Sequence, residues 1–395
     1  MNSLRRFAPV GAVLSIVAVV VFAVGAQSAL TLNAVEPVPS CVKPSSNVTH
    51  VQQVNYAQCL QARTEALLSN AHAPAPTVTE TVTATVTATP GPSPTETSSP
   101  TPTPTPTPPT GTDPKGWDLT TTNVGLTPHG LSCASLPAYS GPGQIASGTT
   151  ISGKRFTVPV NVSAGGILIE KSCFQPTSIL GEAIVNGTYP QGDITIRDSE
   201  FDGSLIPPAT REGAYGFQGG ANLYRNYVHD VGIGIAMMSS TNTRDFGGVP
   251  KDIVIKNNYV HKLFHYSGAH HEAGTIRDFV KNADNSRTLK WIGNYLQSDS
   301  EYVSGGLFIQ PTWEPIYNVW LEGNVFAGEG WNLVSGDSTA VNVVRNLHVV
   351  DNRFKAGTRE WYGPVDANGP GIVEWAENHL YDSTQPEARG TLVAP

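Results

Sequence analysis

Ile194-Thr-Ile-Arg-Asp-Ser199-Glu-Phe201 is the stretch that decides the fold, because its pattern returns along most of the chain. A strand-like triplet is followed by polar residues or Gly, then Ser or Asn, then any residue, then an apolar one. The pattern recurs as Ile167-Leu-Ile-Glu-Lys-Ser172-Cys-Phe174, Asn222-Leu-Tyr-Arg-Asn226-Tyr-Val228 and Ile253-Val-Ile-Lys-Asn-Asn258-Tyr-Val260. It continues through Leu289-Lys-Trp-Ile-Gly-Asn294-Tyr-Leu296 and Val319-Trp-Leu-Glu-Gly-Asn324-Val-Phe326. The last two copies are Leu347-His-Val-Val-Asp-Asn352-Arg-Phe354 and Val373-Glu-Trp-Ala-Glu-Asn378-His-Leu380. The Ser/Asn positions are separated by 27, 27, 32, 36, 30, 28 and 26 residues.

A near-constant period marks a repeat architecture, and apolar alternation within each copy makes the unit a strand. Propeller blades need about 40 residues or more, and leucine-rich repeats need their own leucine register. The spacing therefore predicts an all-β fold, a right-handed single-stranded parallel β-helix of about eight or nine coils over residues 113–395. Asn at the bend is expected to adopt the left-handed backbone conformation and to hydrogen-bond up the stack. Asn226, Asn258, Asn294, Asn324, Asn352 and Asn378 are read as structural. Phe201, Val228, Val260, Leu296, Phe326, Phe354 and Leu380 are expected to point inward. Residues 117–160, with Cys133 bridged to Cys173, are expected to cap the first coil.

Outward from the repeats the composition changes. The chain has 395 residues, with 39 Gly, 31 Pro, 4 Cys and a formal charge of −8. No Lys/Arg cluster exceeds Arg5-Arg6, which argues against a nucleic-acid partner. Phe7 to Ala26 carries no charge behind those two arginines, so residues 1–30 read as a signal peptide or a membrane anchor. Either places the rest outside the cytoplasm, secreted or surface-anchored, with the cell envelope or membrane as a partner if the segment is retained. Residues 31–72 hold a short helical segment in which Cys41 and Cys59 would pair. An even cysteine count in an exported chain predicts two disulfides, although four cysteines allow three connectivities. Residues 73–112 form a linker: within 77–112, fifteen Thr and nine Pro fill 24 of 36 positions. Such a segment cannot bury enough apolar surface to fold, and Thr-Pro alternation favours an extended stalk.

The stalk, Tyr139-Ser-Gly-Pro-Gly, Thr150-Ile-Ser-Gly-Lys154 and the Asn repeats resemble secreted right-handed β-helix proteins of actinobacteria, within the pectate-lyase-like superfamily. The resemblance covers about residues 113–395 and implies that fold and chemistry on polysaccharides. No residue-by-residue match to the calcium-binding aspartates of pectate lyases is present, so no cofactor is assigned and Ca²⁺ has no motif behind it.

Extra residues in a long repeat must loop out, and such loops build binding faces. The repeats from 226 to 258 and from 258 to 294 are the longest, and the second holds His261, His265, Tyr266, His270, His271, Glu272, Arg277 and Asp278. Asp299, Glu301, Gln310 and Trp313 follow in the next. Aligning Gly234, Gly274, Gly306 and Asn332 as strand starts places Arg277, Asp278 and Gln310 on one surface, with Thr275 and Arg277 facing solvent if Ile276 points inward. Three readings follow. In a lyase acting on an acidic polysaccharide by β-elimination, Arg277 or a His neutralises the uronate carboxylate, and His271, His270 or Tyr266 takes the proton. In a glycoside hydrolase, two of Glu272, Asp278, Asp299 and Glu301 flank the bond. In a non-catalytic polysaccharide-binding or cell-surface structural protein, Trp313, Tyr302 and Trp331 stack on sugar rings. Catalytic candidates are thus His270, His271, Glu272, Arg277 and Asp278; His265, Tyr266, Asp299, Glu301, Gln310 and Trp313 would bind substrate. His270-His271-Glu272 lacks the second His of a zinc-binding HExxH, so no metal site is assigned.

Overall fold

The computed structural model describes residues 113–239, 251–264, 271–298, 305–368 and 370–395. The leader, the short helical segment with its proposed Cys41–Cys59 bridge, and the Thr/Pro linker lie outside the described residues. So do His265, Tyr266, His270, Asp299, Glu301 and Tyr302.

Each copy of the sequence repeat contributes successive short strands. They begin with β1 (Thr150–Ser152), β2 (Arg155–Phe156) and β3 (Val160–Asn161), then β4 (Ile167–Glu170), β5 (Cys173–Phe174) and β6 (Ala183–Gly187). Next come β7 (Ile194–Arg197), β8 (Glu200–Asp202) and β9 (Tyr215–Gly219), then β10 (Asn222–Tyr224), β11 (Tyr227–His229) and β12 (Ile233–Ser239). The long repeats give β13 (Ile253–Lys256), β14 (Tyr259–Val260) and β15 (Gly274–Phe279), then β16 (Leu289–Ile292), β17 (Tyr295–Ser298) and β18 (Leu307–Ile309). Toward the end the second and third strands merge: β19 (Ile316–Glu322) and β20 (Val325–Gly336), then β21 (Val344–Val350) and β22 (Arg353–Asn368). The chain closes with β23 (Ile372–Ala376), β24 (His379–Tyr381) and β25 (Arg389–Leu392).

All 25 strands belong to one hydrogen-bonded sheet. Each strand pairs in parallel with its equivalent one repeat on: β4 with β1 and β7, β5 with β2 and β8, β6 with β3 and β9. Only β25 runs antiparallel, against β24. Three parallel ladders therefore run side by side through the repeats. One apolar cluster runs along them, from Ile145 and Phe156 to Phe354 and Val393. Phe156, Phe174 and Phe201 stack at successive centroid distances of 4.7 Å. Val228, Val260, Leu296, Phe326 and Phe354 extend that column, each buried, whereas Leu380 is only partly so.

A ladder of buried amides ties the repeats at the turn. The backbone N–H and Nδ2 of Asn258 both donate to Oδ1 of Asn294, at 2.9 and 3.0 Å, and Asn294 does the same to Asn324. The same pair of hydrogen bonds joins Asn226 to Asn258, Asn324 to Asn352 and Asn352 to Asn378. Ser199 and Ser172 continue the ladder with single bonds: the Ser199 N–H donates to Asn226 Oδ1, and Ser199 Oγ accepts the Ser172 N–H. Every Asn Nδ2 also donates to a backbone carbonyl of the preceding repeat, such as Ile255 for Asn294 at 2.8 Å.

One expectation moves by a residue. The left-handed conformation falls on the position before the ladder residue: Lys171, Asp198, Arg225, Asn257, Gly293, Gly323, Asp351 and Glu377 have φ between 48° and 65°. The Asn side chain must turn inward to reach its neighbour, so the reversal in backbone direction is taken one step earlier. Five of the eight are neither Gly nor Asn, and each holds that conformation against about 1 kcal/mol of intrinsic preference.

The expected cap is also redistributed. Residues 137–149 do cover the first repeat, with Tyr139 4.6 Å from Phe156 and Ile145 buried. The segment before them instead crosses the repeats beside the asparagine turns. Gly116 donates to Gly323, Pro114 accepts from Asn257 Nδ2, and Gly125 donates to Arg225. Cys133 then closes the segment by a disulfide to Cys173. That bond is compatible with an oxidising, extracytoplasmic location. Among the described residues no helix is long and apolar enough to cross a membrane.

Two stability tests follow. Asn294→Ala strips partners from Asn258 and from the Ile255 carbonyl, and should cost about 3 kcal/mol or more, read as a lower urea midpoint at unchanged slope. A loss below about 0.5 kcal/mol would mean that the ladder is not what joins the repeats. Replacing both Cys133 and Cys173 by Ser opens a loop with a sequence separation of 40. Chain-entropy reasoning then gives a destabilisation of about 4 kcal/mol, measurable in the same titration.

Candidate functional site

Of the residues singled out in the sequence, Thr275, Arg277 and Asp278 lie on the third ladder, β3–β6–β9–β12–β15–β18, within β15. Its outward positions in register are Asn161, Asn186, Gln218, Ala236, Thr275, Phe308 and Val334. In β15, Ile276 enters the core and Arg277 faces outward, half-buried. Thr275 is outward by parity but fully buried. The strand-start alignment is off by one residue: Gly274 pairs with Ile235 and Leu307, not with Gly234 and Gly306. A bulge between Met237 and Met238 then sets Met238 opposite Asp278.

That shift brings Arg277 opposite Gln310, whose Oε1 accepts from Arg277 Nη1 at 2.9 Å. Among the described residues no carboxylate forms an ion pair with Arg277, whereas Arg197 pairs with Glu170, Arg225 with Asp198 and Arg345 with Asp337. Arg277 thus presents a cation held in place by a neutral amide. Asp278 is buried, and its Oδ1 accepts the backbone N–H groups of Trp313 (3.0 Å) and Glu314 (2.9 Å). Its carboxylate positions the loop that carries Trp313, which is 53% exposed. Trp313, Tyr189, Thr188, Met238 and Asp278 line a small pocket of about 40 Å³.

His271 and Glu272 are buried rather than presented at the surface. His271 Nδ1 lies 2.7 Å from the Gly232 carbonyl, and its own carbonyl accepts Ser298 Oγ. This places the imidazole as a brace between repeats. Glu272 acts electrostatically on Tyr215, a residue the sequence reading passed over. Burial pushes the Tyr215 phenol up, Glu182 and Glu272 push it further, and Arg277 pulls it back. Glu182 is exposed and accepts Gln218 Nε2 at 3.0 Å. Tyr215, Glu182 and Gln218 sit in repeats without long insertions, so attention to insertions missed them; tracing the outward register of β9 would have found Gln218, and through it Glu182.

A second cluster lies on the β5–β8–β11–β14 ladder. Gln175, Asp202, His229 and His261 each stand three residues after a Ser/Asn ladder position, and a column-wise reading of the repeat exposes them. His229 Nδ1 is 2.7 Å from Asp230 Oδ2, and Nε2 is 3.1 Å from Glu200 Oε1. Asp202 Oδ1 stands 3.9 Å from Nδ1, and the Tyr227 ring stacks on the imidazole at 4.3 Å. Burial alone would lower the imidazole pKa, but the hydrogen bonds to Asp230 and Glu200 and the Asp202 charge raise it to about 9.

No family model, curated protein or solved structure matches this chain.

The raised pKa gives a signed expectation. A folded-state value near 9 against an ordinary 6.5 means that His229 stabilises fully below about pH 6.5, and that this contribution is lost as pH rises through 9. In chelator-treated protein, melting temperature should fall more between those pH values for the wild type than for His229→Gln. Parallel curves would show that the imidazolium is not held by its three carboxylates.

Proposed function

We propose that the repeats wind as one right-handed parallel β-helix and that the protein is an extracytoplasmic polysaccharide lyase acting on an acidic polysaccharide. The observation that carries this reading is Arg277, a half-buried cation held by Gln310, without a carboxylate partner among the described residues, beside a phenol and two acidic groups. A cation without a carboxylate ion pair among the described residues, in a protein of net charge −8, suits an anionic ligand.

The chemistry follows from the residue types. Arg277 takes the uronate carboxylate, and neutralising that group acidifies the neighbouring ring C–H. Glu182, exposed on the same face, is the described group available to accept that proton. Tyr215, whose raised pKa keeps the phenol protonated, donates to the departing glycosidic oxygen, so the carbon–oxygen bond breaks as the ring double bond forms. Trp313 and Tyr189 offer aromatic faces on which sugar rings stack beyond the reacting unit.

The test is incubation of the secreted protein with uronate-containing and neutral polysaccharides, following the ultraviolet absorbance of the unsaturated product. Absorbance should rise with an acidic polymer. Arg277→Ala should lower kcat/KM about 10²-fold or more. Tyr215→Phe should lower kcat by about 10²-fold. New reducing ends without absorbance would replace this reading by hydrolysis, and binding without product by a non-catalytic role.

A further inference from the structure

We propose that Asp202, His229 and Asp230 form a binding site for a first-row divalent cation, with Zn²⁺ the best fit. The site is separate from the Arg277 face and does not rest on the lyase reading.

The three donor atoms, His229 Nδ1 and one carboxylate oxygen from each aspartate, all lie within 4.8 Å of one another. Nδ1 stands 2.7 Å from Asp230 Oδ2 and 3.9 Å from Asp202 Oδ1. Donors around a tetrahedral zinc ion stand about 3.3 Å apart, between those two values, so small side-chain rotations close the cage. The parallel ladder fixes the spacing, since His229 and Asp202 are register partners on adjacent strands. Asp230 follows directly, in a left-handed turn at φ 54°.

What points beyond a simple ion pair is the rest of the imidazole. With Nδ1 facing the two aspartates, Nε2 is directed at Glu200 Oε1 at 3.1 Å. A carboxylate on the far nitrogen is the arrangement that fixes the tautomer of a metal-ligating histidine. The ring plane is set by stacking on Tyr227. Asp202 is oriented as well: Oδ1 accepts the Ser204 N–H at 2.7 Å, and Oδ2 accepts Gln175 Nε2, whose own oxygen is held by Arg155. Asp230 is 36% exposed and gives an approach from solvent.

The donor set selects the ion class. Ca²⁺ takes six to eight oxygen ligands, about 6–8 in typical sites, whereas an imidazole with two carboxylates suits Zn²⁺ and its neighbours. Three protein ligands leave a position for water or an exogenous oxygen. Cys133 lies beside Glu200 and Asp202, but its sulfur is in the disulfide and supplies no thiolate.

The experiment is a Co²⁺ titration of EDTA-treated, full-length protein, read by visible absorption. One equivalent should give a d–d band that Zn²⁺ displaces and Ca²⁺ does not. Asp230→Asn, at a partly exposed position, should weaken Co²⁺ binding about tenfold or more, and His229→Gln should abolish the band. Replacing His265 and His270 by Ala should leave the band intact, which separates this site from those two histidines. No band, a band unchanged in Asp230→Asn, or displacement by Ca²⁺ as readily as by Zn²⁺ would overturn the assignment.

Discussion

The amide ladder at the asparagine turn is the constraint on which the remaining structure depends. From Asn258 onward each Oδ1 accepts two N–H groups from the preceding repeat, and each Nδ2 reaches a buried carbonyl as well. These groups are out of reach of water, so a repeat that slipped by one residue would leave several of them unpaired at about 1–3 kcal/mol each. Register is therefore set at one corner, and the positions that follow inherit it. The next residue after the ladder faces outward, the second enters the core, and the third faces outward again. That order generates the tyrosine column Tyr227, Tyr259 and Tyr295, the phenylalanine and aliphatic column inside, and the polar column holding Asp202 and His229.

The period and the inward column were legible because they are local: a side chain two residues after Asn has little freedom once the turn is set. The third ladder was much less so. Loops of unequal length feed β12, β15 and β18, and a bulge at Met237 and Met238 changes the pairing partway through. Aligning strand starts by glycine consequently misplaced Arg277 by one register position, although it still brought Gln310 to the right neighbourhood. Burial was a further blind spot. Alternation assigned Thr275 to the outside, and it is outside the core, yet it is covered all the same. His271 and Glu272 looked like surface chemistry because they follow a run of polar residues, whereas their side chains are packed between repeats.

The distribution of charge partners sets Arg277 apart from the other arginines of the ladders. Along the turns, Arg197 and Arg225 are neutralised by carboxylates one repeat earlier, at positions where stacked like charges would otherwise repel. His229 is likewise enclosed by acidic groups. Arg277 departs from that practice, with a neutral partner and an exposed aromatic nearby. The leading segment from 113 to 136 has a contrasting role, bridging several repeats along the turn side and leaving the third ladder outside its path.

The reversed final strand has a consequence for the molecule in concentrated solution. A parallel stack ends in a row of open hydrogen-bonding groups, a template on which another molecule's first strand could grow. Because β25 turns back along β24, and the Val393 carbonyl takes the indole N–H of Trp375, the part of that rim along β24 is covered by the chain itself. An architecture built by adding like to like thus carries a partial terminator, which guards against fibre growth along the β24 edge.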